Sequence, residues 1–317
     1  MLMRGLFLSS MIALLGCGGT SASSECEGLS AAECMQPDAG IPDAGDPDAS
    51  LPDGGAPPDG DLIVDTDWLA ANLGNPMVQL VDARSSGYDA SRIPGAIHLV
   101  PGDLSTTTDG VGGQLTPAMD AQPVLREAGL RNEVTVVVYG RSPEYDPARI
   151  VWSLAYYGHE DVRYLDGGFE AWVDAGGELD ESAPDVAATE YTIVAVNEDL
   201  RVEGDWVLGQ LGDAPYDMPA IQLVDARSSG EFASGRIPTA LNVDWSRNLE
   251  SGFLRDASEL EALYPGFDSS KTTVTYCASG RRGAFAWLTL VAFGYDDVRL
   301  YDGSWNEWGS GDFPVER

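Results

Sequence analysis

The sequence predicts two tandem copies of one α/β domain, each a mainly parallel central sheet flanked by helices. Three observations carry that expectation. The chain repeats itself at a spacing of about 140 residues, the size of a domain. Each copy alternates short apolar runs with segments of helix length, the pattern of strands joined by helical crossovers. The 317 residues are enough for two such domains.

The repeat is legible without any other protein. Gln79 to Gly87 returns letter for letter as Gln222 to Gly230. Ser91-Arg92-Ile93-Pro94-Gly95-Ala96 returns as Gly235-Arg236-Ile237-Pro238-Thr239-Ala240. Tyr157 to Val162 matches Phe293 to Val298, and Tyr164 to Trp172 matches Leu300 to Trp308. Strands are predicted at Val78–Asp82, Val134–Tyr139 and Val162–Leu165, then at Ile221–Asp225, Thr273–Tyr276 and Val298–Tyr301. The first domain is placed at 62–182 and the second at 198–317. The connection 183–197 lacks periodicity and holds Pro184.

The N-terminus reads as targeting sequence, not fold. Arg4 precedes a short apolar run from Leu6 to Leu15, too short to span a bilayer comfortably. Leu14-Leu15-Gly16-Cys17 resembles a bacterial lipobox, which implies cleavage of residues 1–16, lipid on Cys17 and a location outside the cytoplasm, anchored to a membrane. Gly18 rather than Asp after the cysteine permits delivery to an outer membrane, and which membrane is left open. Residues 17–61 form a tether in which Pro-Asp-Ala-Gly-like units recur from Pro37 to Asp61. Proline extends such a chain, glycine loosens it, aspartates repel one another, and nothing apolar is there to bury. Cys26 and Cys34 can pair in an oxidising compartment.

The chemistry centres on Cys277. The strand Thr273–Tyr276 runs into Cys277-Ala278-Ser279-Gly280-Arg281-Arg282, and an apolar, helix-forming run follows from Ala284. Strand, short loop and helix aim several backbone N–H groups at one point, and two arginines add charge. Such surroundings favour thiolate over thiol, so Cys277 is expected to be an exposed nucleophile rather than a packed hydrophobe. In the first copy Gly140 stands at the matching place, and two prolines follow it in Arg141-Ser142-Pro143-Glu144-Tyr145-Asp146-Pro147. The first copy is therefore expected to be catalytically silent.

Cys277, Gly280 and Arg282 in a Cys-x-x-Gly-x-Arg pattern resemble the active-site loop of the rhodanese sulfurtransferases. The Arg-Ile-Pro stretches and the closing run Tyr301 to Trp308 resemble two further signatures of that family, with Arg92 and Arg236 in place of its histidine. The resemblance covers both copies and implies two tandem rhodanese-like domains, the silent one walling the pocket of the active one. It implies transfer of a sulfane sulfur through a Cys277 persulfide, from a small anionic donor to a thiol or cyanide acceptor, without cofactor. Arg281 and Arg282 suit a thiosulfonate, which favours thiosulfate, whereas Ser279 resembles the loop of mercaptopyruvate-using relatives. Arg227 has two readings, substrate arginine or ion-pair partner of Asp225. Asp103 lies beside the position of the relatives' helper aspartate, and no role is assigned to it.

Other classes fit less well. The formal net charge of −33 repels nucleic acid and anionic lipid, leaving the N-terminal lipid as the membrane contact. A Cys-based phosphatase needs one more residue between cysteine and arginine than the four found here. His98 and His159 are the only histidines, and Tyr295 replaces His159 in the second copy, so no Cys-His hydrolase base is implied. No Cys/His cluster has metal-ligand spacing. A membrane-anchored, non-catalytic persulfide carrier or binding module is the alternative to an enzyme, and a monomer is expected. Removal of residues 1–61 is expected to leave folding and sulfur transfer intact. Loss of cooperative unfolding in the shortened protein would show that the tether is more than a spacer.

Overall fold

The computed structural model describes residues 62–182, 185–216 and 219–317. The leader, the tether, Cys17, Cys26, Cys34 and Pro184 lie outside the described residues. The first copy runs β1 (Ile63–Val64), α1 (Thr66–Asn72), β2 (Val78–Asp82), β3 (Ile97–His98), β4 (Ser105–Thr108), β5 (Val111–Leu115), α2 (Ala118–Glu127), β6 (Thr135–Tyr139), α3 (Asp146–Tyr156), β7 (Val162–Leu165) and α4 (Gly168–Asp174). The second runs β8 (Arg201–Val202), α5 (Gly204–Leu211), β9 (Gln222–Asp225), α6 (Ser229–Ser234), β10 (Leu241–Asn242), β11 (Leu249–Glu250), β12 (Phe253–Leu254), α7 (Ala257–Leu263), β13 (Thr273–Tyr276), α8 (Arg281–Ala292), β14 (Val298–Tyr301) and α9 (Ser304–Trp308).

Each copy builds the expected sheet, five strands in the order β1-β7-β6-β2-β3 and β8-β14-β13-β9-β10. All neighbours within these sheets are parallel. The registers coincide: Asp82 faces Tyr139 as Asp225 faces Tyr276. Gly140 and Cys277 therefore leave their sheets at the same point, beyond the carboxyl end of a central strand, where such sheets place their ligands. The predicted strands agree with the structure to within one residue, β6 starting at Thr135 and β9 at Gln222. The two-residue edge strands and the hairpins β4–β5 and β11–β12 were not expected, since so few residues show no alternation.

The central strands are buried on both faces, which is why they read as continuous apolar runs. Val136, Val137, Val138 and Tyr139 have no exposed surface. Helices α3 and α8 are apolar around most of their circumference, as interior helices must be. They lie within one core shared by both copies, which includes Trp152, Tyr164, Phe285 and Trp287. Phe285 meets Tyr164 of the first copy and Trp245 of the second edge-on, at 6.2 and 5.4 Å between ring centroids. Each copy adds a smaller core of its own, around Leu69 and Trp172 or around Val207 and Trp308.

Residues 185–197 run over the first copy. Thr189 N–H donates to Arg126 O at 3.0 Å, and Asn197 N–H to Tyr156 O at 2.7 Å. Tyr191 is buried there, stacked on His159, whose ring burial holds below the usual histidine range. Among the described residues no helix is long and apolar enough to cross a membrane.

The shared core makes one prediction. Phe285→Ala is expected to cost about 3–5 kcal/mol in urea denaturation, the range for a buried phenylalanine. Both copies should unfold in a single transition; two separate transitions in the wild-type protein would contradict a shared core.

Candidate active site

Strand β13 ends at Tyr276, and Cys277 opens a turn that closes at Gly280, the N-cap of α8. Gly280 has a φ of +80°, the left-handed region that favours glycine. The helix begins at Arg281, three residues earlier than the apolar run suggests. Its first helical bond is Ala284 N–H to Gly280 O, at 2.8 Å. The N–H groups of Arg281, Arg282 and Gly283 precede that bond, so they are free of helical duty and sit at the positive end of a twelve-residue helix. A Cβ on Gly283 would lie 2.8 Å from Leu300 Cδ1, so glycine lets the helix seat closely on the sheet.

The closing run Tyr301 to Trp308 fixes the turn from the other side. Ser304 Oγ accepts the Cys277 N–H at 3.2 Å and donates to Tyr301 O at 2.8 Å. Trp305 N–H donates to Cys277 O and Asn306 N–H to Ala278 O, at 3.0 and 2.9 Å. In the first copy Phe169 N–H makes the matching bond to Gly140 O at 2.8 Å. The closing signature is thus a clamp on the loop that carries the cysteine.

The expectation of an exposed thiol is corrected: Cys277 is 1% exposed, because α9 and the first copy cover the turn. Ser279 faces the first copy, where a Cβ on Gly113 would come within 3.0 Å of its own Cβ. The two loop arginines are engaged by carboxylates. Arg282 makes a two-point pair with Glu231, Nη1 to Oε2 at 2.8 Å and Nη2 to Oε1 at 2.9 Å. Glu231 is also the third residue of a capping box with Ser228 at the start of α6. Those bonds from Arg282 hold the Glu231 carboxyl down at about 2. The Arg282 guanidinium is held charged, chiefly by Glu231 and further by the nearby Cys277. Arg281 pairs across the domain boundary with Asp146, the first residue of α3, and lies over the Tyr145 ring at 5.7 Å.

Arg227 takes the geometry of the ion-pair reading. It is 2% exposed, its Nη2 is 2.6 Å from Asp225 Oδ2, and it lies 4.3 Å from the Trp305 ring centre. Arg84 repeats the arrangement with Asp82 and Phe169 in the copy that lacks a cysteine. A geometry that persists where there is no nucleophile serves the fold. Asp103 accepts the Val100 N–H at 2.9 Å within the first copy.

Several site residues escaped the sequence reading. Glu231 was legible as the acid of the capping box Ser228-Ser229-Gly230-Glu231. Ser304 and Asp302 lay inside a recognised signature without assigned roles. Asp146 and Arg149 belong to the silent copy, and only three dimensions bring them to Cys277's loop. Among the described residues no group of three His, Cys, Asp or Glu side chains could hold a metal.

Comparison with known proteins agrees with this architecture. The family model for the rhodanese-like domain matches residues 65–175 and 205–310. The thiosulfate sulfurtransferase of Corynebacterium glutamicum is 33% identical over 272 residues, spanning 78% of this chain and 87% of that protein. The crystal structure of SseA from Escherichia coli, described under the fold and mechanism of 3-mercaptopyruvate sulfotransferases, superposes with a TM-score of 0.70. It is 28% identical and covers 78% of this chain and all of that one. The crystal structure of YnjE shares the fold at a TM-score of 0.69 and 24% identity, covering 81% of this chain and 69% of its own. The chain belongs to the rhodanese-like family, with two domains of that fold.

The Arg282–Glu231 pair generates a prediction with a definite sign. The Glu231 carboxyl is depressed to about 2 in the folded protein, from an ordinary 4.5. Its contribution to stability is therefore present above pH 4.5 and is lost as pH falls towards 2. Glu231→Gln should flatten the fall in stability across that window, measured by urea denaturation at successive pH values. It should also raise the rate of Cys277 alkylation at neutral pH severalfold, since Arg282 is released from its carboxylate. A slower reaction would contradict the placement of Arg282 beside the thiol.

Proposed function

We propose that the protein is a thiosulfate sulfurtransferase working through a persulfide on Cys277. The observation that carries this reading is the position of Cys277 between a buried parallel strand and the N-terminus of α8, with Arg282 beside it. In the first step the Cys277 thiolate attacks the outer sulfur of the donor. A Cys277 S–S bond forms, the donor's S–S bond breaks, and sulfite leaves with the electron pair. In the second step an acceptor thiolate or cyanide attacks the outer persulfide sulfur, and the Cys277 thiolate leaves. The turn's N–H groups stabilise anionic sulfur in both states without moving. The first copy lends walls and no nucleophile: a Cβ on Gly140 would fall 2.3 Å from Pro147 Cγ.

Thiosulfate as donor is supported by the basic loop and by the name of the Corynebacterium glutamicum relative. The engagement of Arg281 with Asp146 and of Arg282 with Glu231 shifts anion recognition towards backbone N–H groups. The reading also places the protein outside the cytoplasm as a monomer on a lipidated Cys17, supported by Leu14-Leu15-Gly16-Cys17 and the Pro/Asp/Gly tether.

Two measurements test these statements. Mass spectrometry of the protein from Leu62 onward, after incubation with thiosulfate, should show one added sulfur on the Cys277 peptide, removed by cyanide. Cys277→Ser should abolish both the added mass and turnover while unfolding like wild type. Faster loading from mercaptopyruvate would reassign the donor, and no loading from either would leave a non-catalytic module. In cells, Cys17→Ser should move the protein from the membrane fraction to the soluble one; unchanged partitioning would remove the lipid anchor.

A further inference from the structure

The two copies meet through a reciprocal contact at their hairpins. Leu115 N–H, from β5 of the first copy, donates to Asp302 Oδ2 at 2.7 Å. Leu254 N–H, from β12 of the second, donates to Asp166 Oδ1 at 3.0 Å. Asp166 and Asp302 are matching residues in the Asp-Gly turns after β7 and β14. Gly113 packs on Ser279, and Gly252 packs in the same way on Ser142.

The symmetry fails at two cations on Asp302: Arg201 of β8, whose Nε lies 3.7 Å from Asp302 Oδ2 and whose match in β1 is Ile63, and a residue of the interdomain helices. Arg149 on α3 and Phe285 on α8 each stand nine residues before the matched glycines Gly158 and Gly294. Arg149 reaches across the boundary to Asp302, Nη2 to Oδ1 at 2.7 Å. Both side chains are at least 99% buried. Phe285 offers Asp166 no charge, and burial, offset by the N–H groups of Leu254 and Gly167, pushes that carboxyl up from its usual value. A buried ion pair is expensive to desolvate and is often replaceable by apolar packing. At the matching position Phe285 packs on Tyr164 and Trp245 instead. The cation is supplied only towards the loop that has a cysteine.

Its position shows what it does there. A Cβ on Gly280 would lie 2.8 Å from Arg149 Nη1, 2.9 Å from Asp302 Oδ1 and 3.2 Å from Asp302 O. Gly280 is the left-handed residue that turns the chain from Cys277 into α8. Arg149 Nη2 also approaches Gly113 O at 3.4 Å, on the hairpin strand that covers Ser279. Arg149 Nη1 is buried without a hydrogen-bond partner, on the side facing this turn. Nη2 of the guanidinium thus joins the hairpin to Asp302, and Nη1 packs against the turn.

We propose that Arg149, from the silent domain, is a positioning residue for the sulfur-transfer loop, holding the Gly280 turn against Asp302 so that the loop N–H groups stay aimed at Cys277. The proposal rests on the reading of Cys277 as the reacting thiol. Arg149→Phe places here the residue found at the matching position of α8, and Arg149→Lys keeps the charge without the guanidinium's second nitrogen facing the turn. Arg149→Phe removes one partner of a buried pair and leaves Asp302 to Arg201, so it is expected to unfold cooperatively at a lower temperature than wild type and to load sulfur from thiosulfate, below that transition, about tenfold or more slowly. The pH profile of its Cys277 alkylation should move, and Arg149→Lys should lie between it and wild type. Wild-type loading and an unmoved profile in Arg149→Phe would overturn the proposal, as would loss of folding in both variants, which would make the pair simple scaffold. Alkylation needs no donor. A moved profile in a protein that accepts no sulfur would sustain the positioning role and remove the thiosulfate reading.

Discussion

Under the proposed function, anionic sulfur kept from bulk water has to be compensated by the protein, and that constraint accounts for how the Cys277 turn is held. Water is largely excluded at Cys277, so stabilisation must come from groups already fixed in place. Backbone N–H groups are the least mobile donors a chain can offer, but they converge only if the turn is held. The parallel sheet fixes where the turn starts, α8 where it ends, and α9 seizes its carbonyls from outside. The arginines act at one remove, each balanced by a carboxylate, so the loop carries little unpaired charge.

The duplication supplies a control within one molecule. Asp82–Arg84 and Asp225–Arg227 keep the same pairing under an aromatic lid, Phe169 in one copy and Trp305 in the other, so they belong to the fold. Cys277 against Gly140, Arg149 against Phe285 and Arg201 against Ile63 are among the places where the copies part, and the proposed chemistry draws on the first two. A duplicated domain can thus separate scaffold from site without any alignment. The separation works because both halves share one core and one set of sheet registers.

Much of this was legible in the sequence. The six principal strands were readable because buried parallel strands are runs of β-branched residues, and Cys277 was readable because strand, loop and helix are contiguous. The hairpins were not, because Ser105–Thr108 and Val111–Leu115 are rich in Ser, Thr and Gly and look like any loop. Arg227 was ambiguous because an arginine two residues after an aspartate can pair locally or reach outward, and only the packed Trp305 decides it. Burial of the thiol was hidden for a different reason. It depends on the other domain, and periodicity describes a residue's own element rather than what closes over it.

Pro147 closes the first copy's loop to any side chain at its head. Its ring occupies the space that a side chain at residue 140 would need, with overlap to 2.3 Å. A cysteine placed there would meet solid protein, and removing the proline alone would leave a void without a nucleophile. A side chain at residue 140 therefore needs a second change at residue 147, and packing volume alone keeps a nucleophile out of the first copy's loop.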